Sequence, residues 1–131
     1  MLNYTVKGDV EPAQIAKLRK AVGWNGMENS LKKSLANSYF YICCFDNDNL
    51  VGFLDVVSNG VTDAYIQDVI VDPAYQGKGI GTEMMNIAIN KLKQDGVYAI
   101  SVLFDKSLLS FYEKFGFHIM MAGQMETRKE D

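Results

Sequence analysis

At the centre of the sequence stands the stretch Asp72-Pro73-Ala74-Tyr75-Gln76-Gly77-Lys78-Gly79-Ile80-Gly81-Thr82. An apolar run, residues 65–71, leads into it, and an amphipathic stretch that continues to Gln94 leads out of it. This order predicts a strand, a glycine-rich turn and a helix. Such a turn presents backbone N–H groups at a helix N-terminus, where a phosphate group can bind. The alternating glycines allow close backbone approach to a ligand, and Lys78 adds a positive charge beside them.

The spacing of the glycines decides between the known phosphate-binding turns. It fits neither the dinucleotide fingerprint nor the Walker loop, because the glycines alternate and Lys78 is followed by glycine instead of Ser or Thr. Gln76, Gly79 and Gly81 form the pattern Gln-x-x-Gly-x-Gly, which resembles the acetyl-coenzyme A signature of the GNAT acetyltransferase superfamily. A tight strand-to-helix turn that binds no ligand would also suit these glycines.

A second motif, Phe111-Tyr112-Glu113-Lys114-Phe115-Gly116-Phe117, extends the resemblance. Many GNAT enzymes carry Phe-Tyr-x-x-x-Gly-Phe at this distance from the glycine turn, so the two motifs together cover residues 65–117. The sequence around these motifs is most similar to that of glucosamine-phosphate acetyltransferases. Their acidic pair on the fourth strand is here Gln67-Asp68, whereas their aspartate before Phe-Tyr is kept as Asp105. Leu108 stands where many relatives have an asparagine that contacts the cofactor.

The resemblance implies a binding path for acetyl-CoA as cosubstrate. The pyrophosphate would bind to backbone N–H groups of the glycine turn, and the pantetheine arm would lie along the fourth strand. A backbone N–H near Val69 would stabilise the oxyanion formed from the thioester carbonyl. The implied binding residues are Val69, Ile70, Val71, Gln76, Gly77, Lys78, Gly79, Ile80, Gly81 and Thr82.

The resemblance also implies catalytic residues. A neutral amine attacks the carbonyl directly, so a carboxylate or a water molecule must first take a proton from the ammonium. Asp68 and Asp105 are the candidate bases, although Asp68 could equally be a hydrogen-bonded core residue. Tyr112 would protonate the leaving thiolate, or it could simply pack. We expect no acyl-enzyme intermediate, because the sequence has no evident Ser-His-Asp or Cys-His arrangement. The single histidine, His118, is expected to be a surface or packing residue.

The bulk properties are those of one ordinary globular domain, residues 1–131, with 48% hydrophobic and 22% charged residues. No apolar run is long enough for a membrane helix and no signal peptide is recognisable, so we expect a cytoplasmic protein. A formal net charge of −3 without a basic run argues against nucleic-acid binding. The adjacent Cys43 and Cys44 are expected to be buried free thiols, and no metal-binding spacing is present.

The predicted fold is a single α/β (α+β) domain with a central mixed sheet of about six to seven strands flanked by about four helices. An antiparallel meander is followed by a strand–helix–strand crossover. On the fourth strand, Gln67, Val69 and Val71 are expected on one face, and Ile66, Asp68 and Ile70 on the other. The predicted strands are residues 2–6, 39–45, 50–57, 65–71, 97–104 and 117–121, with a last short one near 123–125, and the predicted helices begin near residues 12, 27, 82 and 108.

The sequence thus predicts an enzyme that transfers acetyl from acetyl-CoA to a primary amine of a small molecule. A protein or peptide N-acetyltransferase and a non-catalytic acyl-CoA sensor remain alternatives. Asp55, Asp63 and Asp68 could attract a cationic amine or could be ordinary surface and turn residues. The resemblance also suggests a homodimer, since dimers are frequent in the superfamily.

Overall fold

A computed structural model describes residues 1–129. It contains one sheet in which neighbouring strands follow the chain order, β1-β2-β3-β4-β5. The first four strands are antiparallel, and β5 is parallel to β4. The strands are β1 (Leu2–Val6), β2 (Phe40–Asp46), β3 (Asn49–Ser58), β4 (Asp63–Val71) and β5 (Ala99–Val102), and the helices are α1 (Pro12–Ala21), α2 (Glu28–Asn37), α3 (Ile80–Gln94) and α4 (Leu109–Glu113).

Helices cover both faces of the sheet, and each face has its own hydrophobic core. Buried residues of α1 and α2, such as Ile15 and Leu31, pack on one face. Buried residues of α3, such as Met84 and Leu92, pack on the other face. Among residues 1–129, no helix has both the length and the apolar character needed to cross a membrane.

The two adjacent cysteines show that β2 contributes side chains to both cores. Cys43 belongs to the α1/α2 core and Cys44 to the α3 core, because successive side chains of a strand point to opposite faces. Both are free and fully buried, which confirms the prediction for the two thiols. Burial raises the pKa of the Cys43 thiol to about 12.

The predicted class of fold is confirmed, but the predicted number of strands, six to seven, is too high. The described sheet has five strands, and residues 117–121 and 123–125 lie outside it. The fifth strand is also shorter than the predicted 97–104 run, and it is an edge strand that is not covered on both faces. An apolar run alone does not distinguish a central strand from an edge strand, because pairing depends on distant parts of the chain.

A β-bulge in β4 overturns the predicted alternation of its side chains. Gln67 pairs with Asp55, and Ile70 pairs with Phe53, so Asp68 and Val69 together oppose one residue of β3. Asp68 has a positive φ of 54°. The extra residue shifts the alternation, with the result that Ile66 packs in the α3 core and Ile70 in the α1/α2 core.

Gly52 gives α3 its close approach to the sheet. A Cβ at this position would lie 2.9 Å from Ile80 Cγ2, 3.1 Å from Met84 Sδ and 3.2 Å from Cys44 Cβ. Gly52 is paired with Cys44, and the register shift between β2 and β3 falls beside it at Val51.

Replacing Gly52 by alanine should therefore destabilise the protein by about 1–3 kcal/mol, the usual result of overpacking a core. The measurement is the free energy of unfolding from denaturant titration. Gly123→Ala is the control, since no heavy atom lies within 4 Å of a Cβ at Gly123. Equal stability of both variants would contradict the packing role of Gly52.

Candidate active site

The candidate site begins where β4 and β5 separate. Their last paired residues are Ile66 and Val102. β5 ends there, whereas β4 continues to Val71. The second half of β4 is therefore free of a neighbouring strand on the β5 side within residues 1–129, and an extended ligand can lie along it.

The bulge lies at the start of this opening. Because Asp68 and Val69 share one partner residue on β3, the bulge interrupts the regular ladder of backbone hydrogen bonds. An N–H group released from the ladder can donate to a ligand in the opening. Strain of this kind, with a non-glycine residue at positive φ, is often found at functional sites.

The glycine turn closes the far end of the opening. Asp72 Oδ1 accepts from the Ala74 N–H at 2.8 Å and begins a 3-10 turn over Pro73–Tyr75. The Gln76 side chain donates to the Val71 carbonyl at 3.2 Å, which ties the turn to the end of β4. α3 then begins at Ile80, two residues earlier than predicted, so the turn runs directly into its N-terminus.

The conformation of the turn requires glycine and leaves space for a ligand. Gly77 and Gly79 have φ values of 81° and 84°, and no heavy atom lies within 4 Å of a Cβ at either position. At Gly81 a Cβ would lie 3.2 Å from Phe111 Cζ, so α3 and α4 meet closely there. The first N–H groups of α3 have no acceptor within the helix, which suits an anionic group.

Two lysines place positive charge near this turn. Lys78 Nζ lies 5.1 Å from the centroid of the Tyr75 ring. Lys114 Nζ donates to Thr82 Oγ1 at 2.7 Å and lies 4.6 Å from the centroid of the Phe111 ring. Lys114 thus contacts the first turn of α3, and Lys78 precedes that helix by two residues, so the positive charge near the turn favours an anionic group.

Tyr112 of α4 is positioned by aromatic packing. Its ring stacks on Phe104 with centroids 4.4 Å apart, and Phe111 and Phe117 pack edge-on against it. The residue is only 5% exposed. Burial, and then the nearby Tyr65, raise the pKa of the Tyr112 hydroxyl above its ordinary value. The hydroxyl is therefore protonated at neutral pH and can serve as a proton donor.

The sequence left open whether Asp68 is a catalytic base or a hydrogen-bonded core residue. In the structure its side chain is hydrogen-bonded to α1, and the residue also lies at the opening between β4 and β5. Its Oδ2 accepts from Arg19 Nη1 of α1 at 2.9 Å. Burial raises the pKa of the Asp68 carboxyl, the Arg19 cation opposes that shift, and Asp55 adds to it. A carboxyl with a raised pKa is better suited to accept a proton near neutral pH than an exposed one.

Asp105 has a different environment. It is exposed and lies at the start of a short 3-10 turn, Lys106–Leu108. Its Oδ2 accepts from the Ser107 hydroxyl at 2.6 Å, and the hydrogen bonds from Ser107 lower the pKa of the Asp105 carboxyl. The structure thus gives Asp105 a capping role, and its catalytic role stays a prediction.

A polar network beside Asp68 includes Asp55, which the sequence offered as a residue that could attract a cationic amine, and Arg19, which the sequence did not single out. Asp55 is 4% exposed and accepts from Gln67 Nε2 at 2.8 Å and from the Ser38 hydroxyl. Arg19 Nε donates to the Asn25 carbonyl at 2.7 Å, and the guanidinium lies 5.4 Å from the centroid of the Trp24 ring. No pattern in the sequence indicated a role for Arg19, because its partner, Asp68, lies 49 positions away.

Two other residues that the sequence suggested, Asp63 and His118, lie outside this polar network. Asp63 is exposed at the N-terminal end of β4, where it pairs with Ala99. His118 is exposed after α4. The side chains of Ile70 and Ile80 are buried in the two cores, so any contact with a ligand would come from their backbone atoms.

Asp68→Asn should fold with equal or greater stability at pH 7. Folding raises the pKa of Asp68, so the folded state holds the proton more tightly than the unfolded chain, and the carboxyl lowers stability as pH rises above about 3.9. Asparagine removes this effect and tolerates positive φ. Thermal unfolding of the wild type and of Asp68→Asn at several pH values measures this difference in stability. Asp68→Ala, the control, should lose at least about 1–2 kcal/mol, because it adds backbone strain and also removes the acceptor of the Arg19 hydrogen bond. Equal losses in both variants would contradict this account.

Comparison with known proteins identifies the family. The family described as "Acetyltransferase (GNAT) family" matches residues 11–117 of this chain. The chain therefore belongs to the GNAT acetyltransferases, a family of acyltransferases, as the two sequence motifs predicted.

Individual relatives agree with this assignment. The uncharacterized N-acetyltransferase ycf52-like of Prochlorococcus marinus is 30% identical over 115 residues, which cover 84% of this chain and 64% of the relative. Histone acetyltransferase TAP1 of Glycine max is 30% identical over 122 residues, which cover 84% of this chain and 53% of the relative. The chain thus spans less than two thirds of the length of these curated relatives.

A solved structure shows the same fold. A protein of unknown function from meticillin-resistant Staphylococcus aureus, described as "Probable Acetyltransferase", superposes with a TM-score of 0.88 at 26% sequence identity. The superposition covers 98% of this chain and 100% of the other. The two chains therefore share one fold over nearly their whole length.

Proposed function

We propose that the protein is an N-acetyltransferase that moves an acetyl group from acetyl-CoA directly to a primary amine of a small molecule. The observation that carries this proposal is the opening between β4 and β5. It has a β-bulge at Asp68 and Val69 at one end and the glycine turn at the other. Membership of the family supports acetyl-CoA as the cosubstrate.

The cosubstrate fits the shape of the opening. Its pyrophosphate would bind to N–H groups between Gln76 and Thr82, near Lys78, where Gly77 and Gly79 leave the space free. Its pantetheine arm would lie along Val69 and Val71, where β4 has no neighbouring strand among the described residues. This path leads the thioester to the bulge.

The proposed reaction uses the Val69 N–H and Asp68 at the bulge together with the Tyr112 hydroxyl of α4. The N–H of Val69 stabilises the negative charge on the carbonyl oxygen, a role typically worth about 3 kcal/mol. Asp68, directly or through water, takes a proton from the ammonium so that the neutral nitrogen can attack. The C–N bond forms, the C–S bond breaks, and the Tyr112 hydroxyl gives its proton to the thiolate. The nitrogen, which carries a positive charge after the attack, loses its second proton through water to the Tyr112 phenolate, and Asp68 releases its proton to solvent.

A protein or peptide acceptor is the second candidate. The relative named as a histone acetyltransferase favours it. A sensor that binds acyl-CoA without turnover is less well supported, because the chain keeps both the glycine turn and the buried Tyr112, the proposed proton donor.

Two measurements test the proposal. Acetyl-CoA at about one hundred times its dissociation constant should stabilise the protein by about 2.7 kcal/mol in a thermal melt. Turnover is then followed as free coenzyme A with a thiol reagent, using a panel of small primary amines and lysine-containing peptides. Cys43 and Cys44 are fully buried, so the protein contributes little background.

The outcomes separate the candidates. Turnover with small amines supports the proposal, and turnover with peptides alone supports a protein acceptor. A stabilised protein that turns over no amine would point to a sensor. No stabilisation at millimolar acetyl-CoA would refute the acetyl-CoA site itself.

A further inference from the structure

The side chain of Tyr75 connects the glycine turn to a part of the chain that is distant in sequence. Tyr75 is the last residue of the 3-10 turn and directly precedes Gln76. Its hydroxyl donates to Asp46 Oδ2 at 2.5 Å, across 29 positions of the sequence. Asp46 is the last residue of β2 and pairs with Asn49 of β3 at the hairpin between these strands. The hydrogen bond therefore ties the segment before the glycines to that hairpin.

The acceptor of this hydrogen bond is a charged group. The hydrogen bond from Tyr75, and then that from the Met1 amino group, lower the pKa of the Asp46 carboxyl, which is ionised at neutral pH. Hydrogen bonds to an ionised group are stronger than those between neutral groups. On its other side, the Tyr75 ring lies beside Lys78, whose Nζ is 5.1 Å from the ring centroid. Tyr75 thus contacts an anion of the sheet and a cation of the glycine turn.

The glycine turn is otherwise loosely packed. No heavy atom of residues 1–129 lies within 4 Å of a Cβ at Gly77 or Gly79. A cavity of about 310 Å³ lies beside Tyr75, between the 3-10 turn and Lys17 of α1. The side-chain hydrogen bonds of Asp72 and Gln76, described above, span five positions or fewer. A turn with so few contacts has conformational freedom, and that freedom must be lost before its N–H groups can converge on a phosphate.

We propose that Tyr75 and Asp46 act together as positioning residues for acetyl-CoA, because their hydrogen bond holds the glycine turn in the conformation that binds the pyrophosphate. This inference rests on the proposed acetyl-CoA site. Without the hydrogen bond, the turn populates other conformations, and the apparent affinity falls with the fraction of molecules that remain competent to bind. The effect therefore falls on cosubstrate binding and not on the chemical step.

Tyr75→Phe removes the hydroxyl and keeps the ring beside Lys78. The dissociation constant of acetyl-CoA, measured by isothermal titration calorimetry, should rise about tenfold, as expected for the loss of a hydrogen bond to a charged group. Tyr39→Phe is the matched control. The Tyr39 hydroxyl also donates to a carboxylate, Asp95 Oδ2, at 2.6 Å, but Asp95 follows the C-terminal end of α3, away from the glycine turn. This control should leave the dissociation constant unchanged.

A double-mutant cycle tests whether the two residues act as one unit. Asp46→Ala should also weaken the binding of acetyl-CoA. The double variant, Asp46→Ala with Tyr75→Phe, should bind no more weakly than the weaker single variant, because either change already breaks the same hydrogen bond. With an amine that the wild type acetylates, the KM for acetyl-CoA should rise in these variants while kcat stays unchanged.

The outcomes distinguish this inference from the proposed function. A wild type that does not bind acetyl-CoA would refute the proposed site and this inference with it. A wild type that binds acetyl-CoA no better than Tyr75→Phe does would overturn the inference alone. So would an equal loss of affinity in Tyr39→Phe, additive losses in the double-mutant cycle, or a lower kcat at saturating acetyl-CoA.

Discussion

Tyr112→Phe is expected to lower kcat by about 10²–10⁴-fold while leaving acetyl-CoA affinity unchanged, since proton donation to the leaving thiolate is lost. The substitution removes one oxygen atom and keeps the ring that stacks on Phe104. The fold and the edge-on contacts with Phe111 and Phe117 should therefore persist. The measurements are steady-state kinetics and the shift of the melting temperature caused by acetyl-CoA.

The pH dependence adds a second check on Tyr112. Burial raises its pKa above the ordinary value of 10.0, so the hydroxyl loses its proton only at strongly alkaline pH. The wild-type rate should therefore show no fall from Tyr112 ionisation below about pH 10. Tyr98→Phe is the control, because Tyr98 is exposed and lies before β5. If Tyr112→Phe retained the wild-type kcat, the role of Tyr112 as proton donor would be wrong.

Gly79→Glu is expected to weaken acetyl-CoA binding on the order of a hundredfold, equivalent to about 2.7 kcal/mol. Three effects act together. The side chain would occupy space that is now open, the carboxylate would repel the phosphates, and φ at this position is 84°. In a thermal melt, the stabilisation by acetyl-CoA should disappear at concentrations that saturate the wild type.

The control for Gly79→Glu lies at the other end of the same helix. Gly96 follows α3, has a φ of 78° and also has no heavy atom within 4 Å of a Cβ. Gly96→Glu thus introduces the same charge and the same backbone strain, about 1–2 kcal/mol. It should lower the melting temperature of the free protein without reducing acetyl-CoA affinity. Equal losses of affinity in both variants would show that Gly79 acts only through stability.

Local signals explain why the turn and its helix could be predicted from sequence. Asp72 and Pro73 begin the turn, the glycines take the positive φ values, and the apolar residues of α3 repeat at helical intervals. Each of these signals acts over a few residues. The structure agrees with the prediction to within two residues at the start of α3.

The bulge in β4 could not be predicted in the same way. Nothing near Asp68 in the sequence indicates a positive φ, and the expected alternation of Gln67 to Ile70 was regular. The bulge depends on pairing with β3 and on the ion pair to Arg19 of α1, which are distant in sequence. The same reason applies to residues 117–121, which lie outside the described sheet, since strand pairing depends on residues that are distant in sequence.

The two neighbouring thiols of β2 are natural reporters of how the molecule opens. The sulfur of Cys43 is sealed beneath α1 and α2, and that of Cys44 beneath α3. A reagent reaches either sulfur only when the helical layer above it has moved away, since both are fully buried. In a pair of single-cysteine variants, the rate of thiol labelling would thus give the opening rate of each layer separately. Equal rates would mean that the two layers detach in one cooperative event, and unequal rates would rank them in kinetic stability.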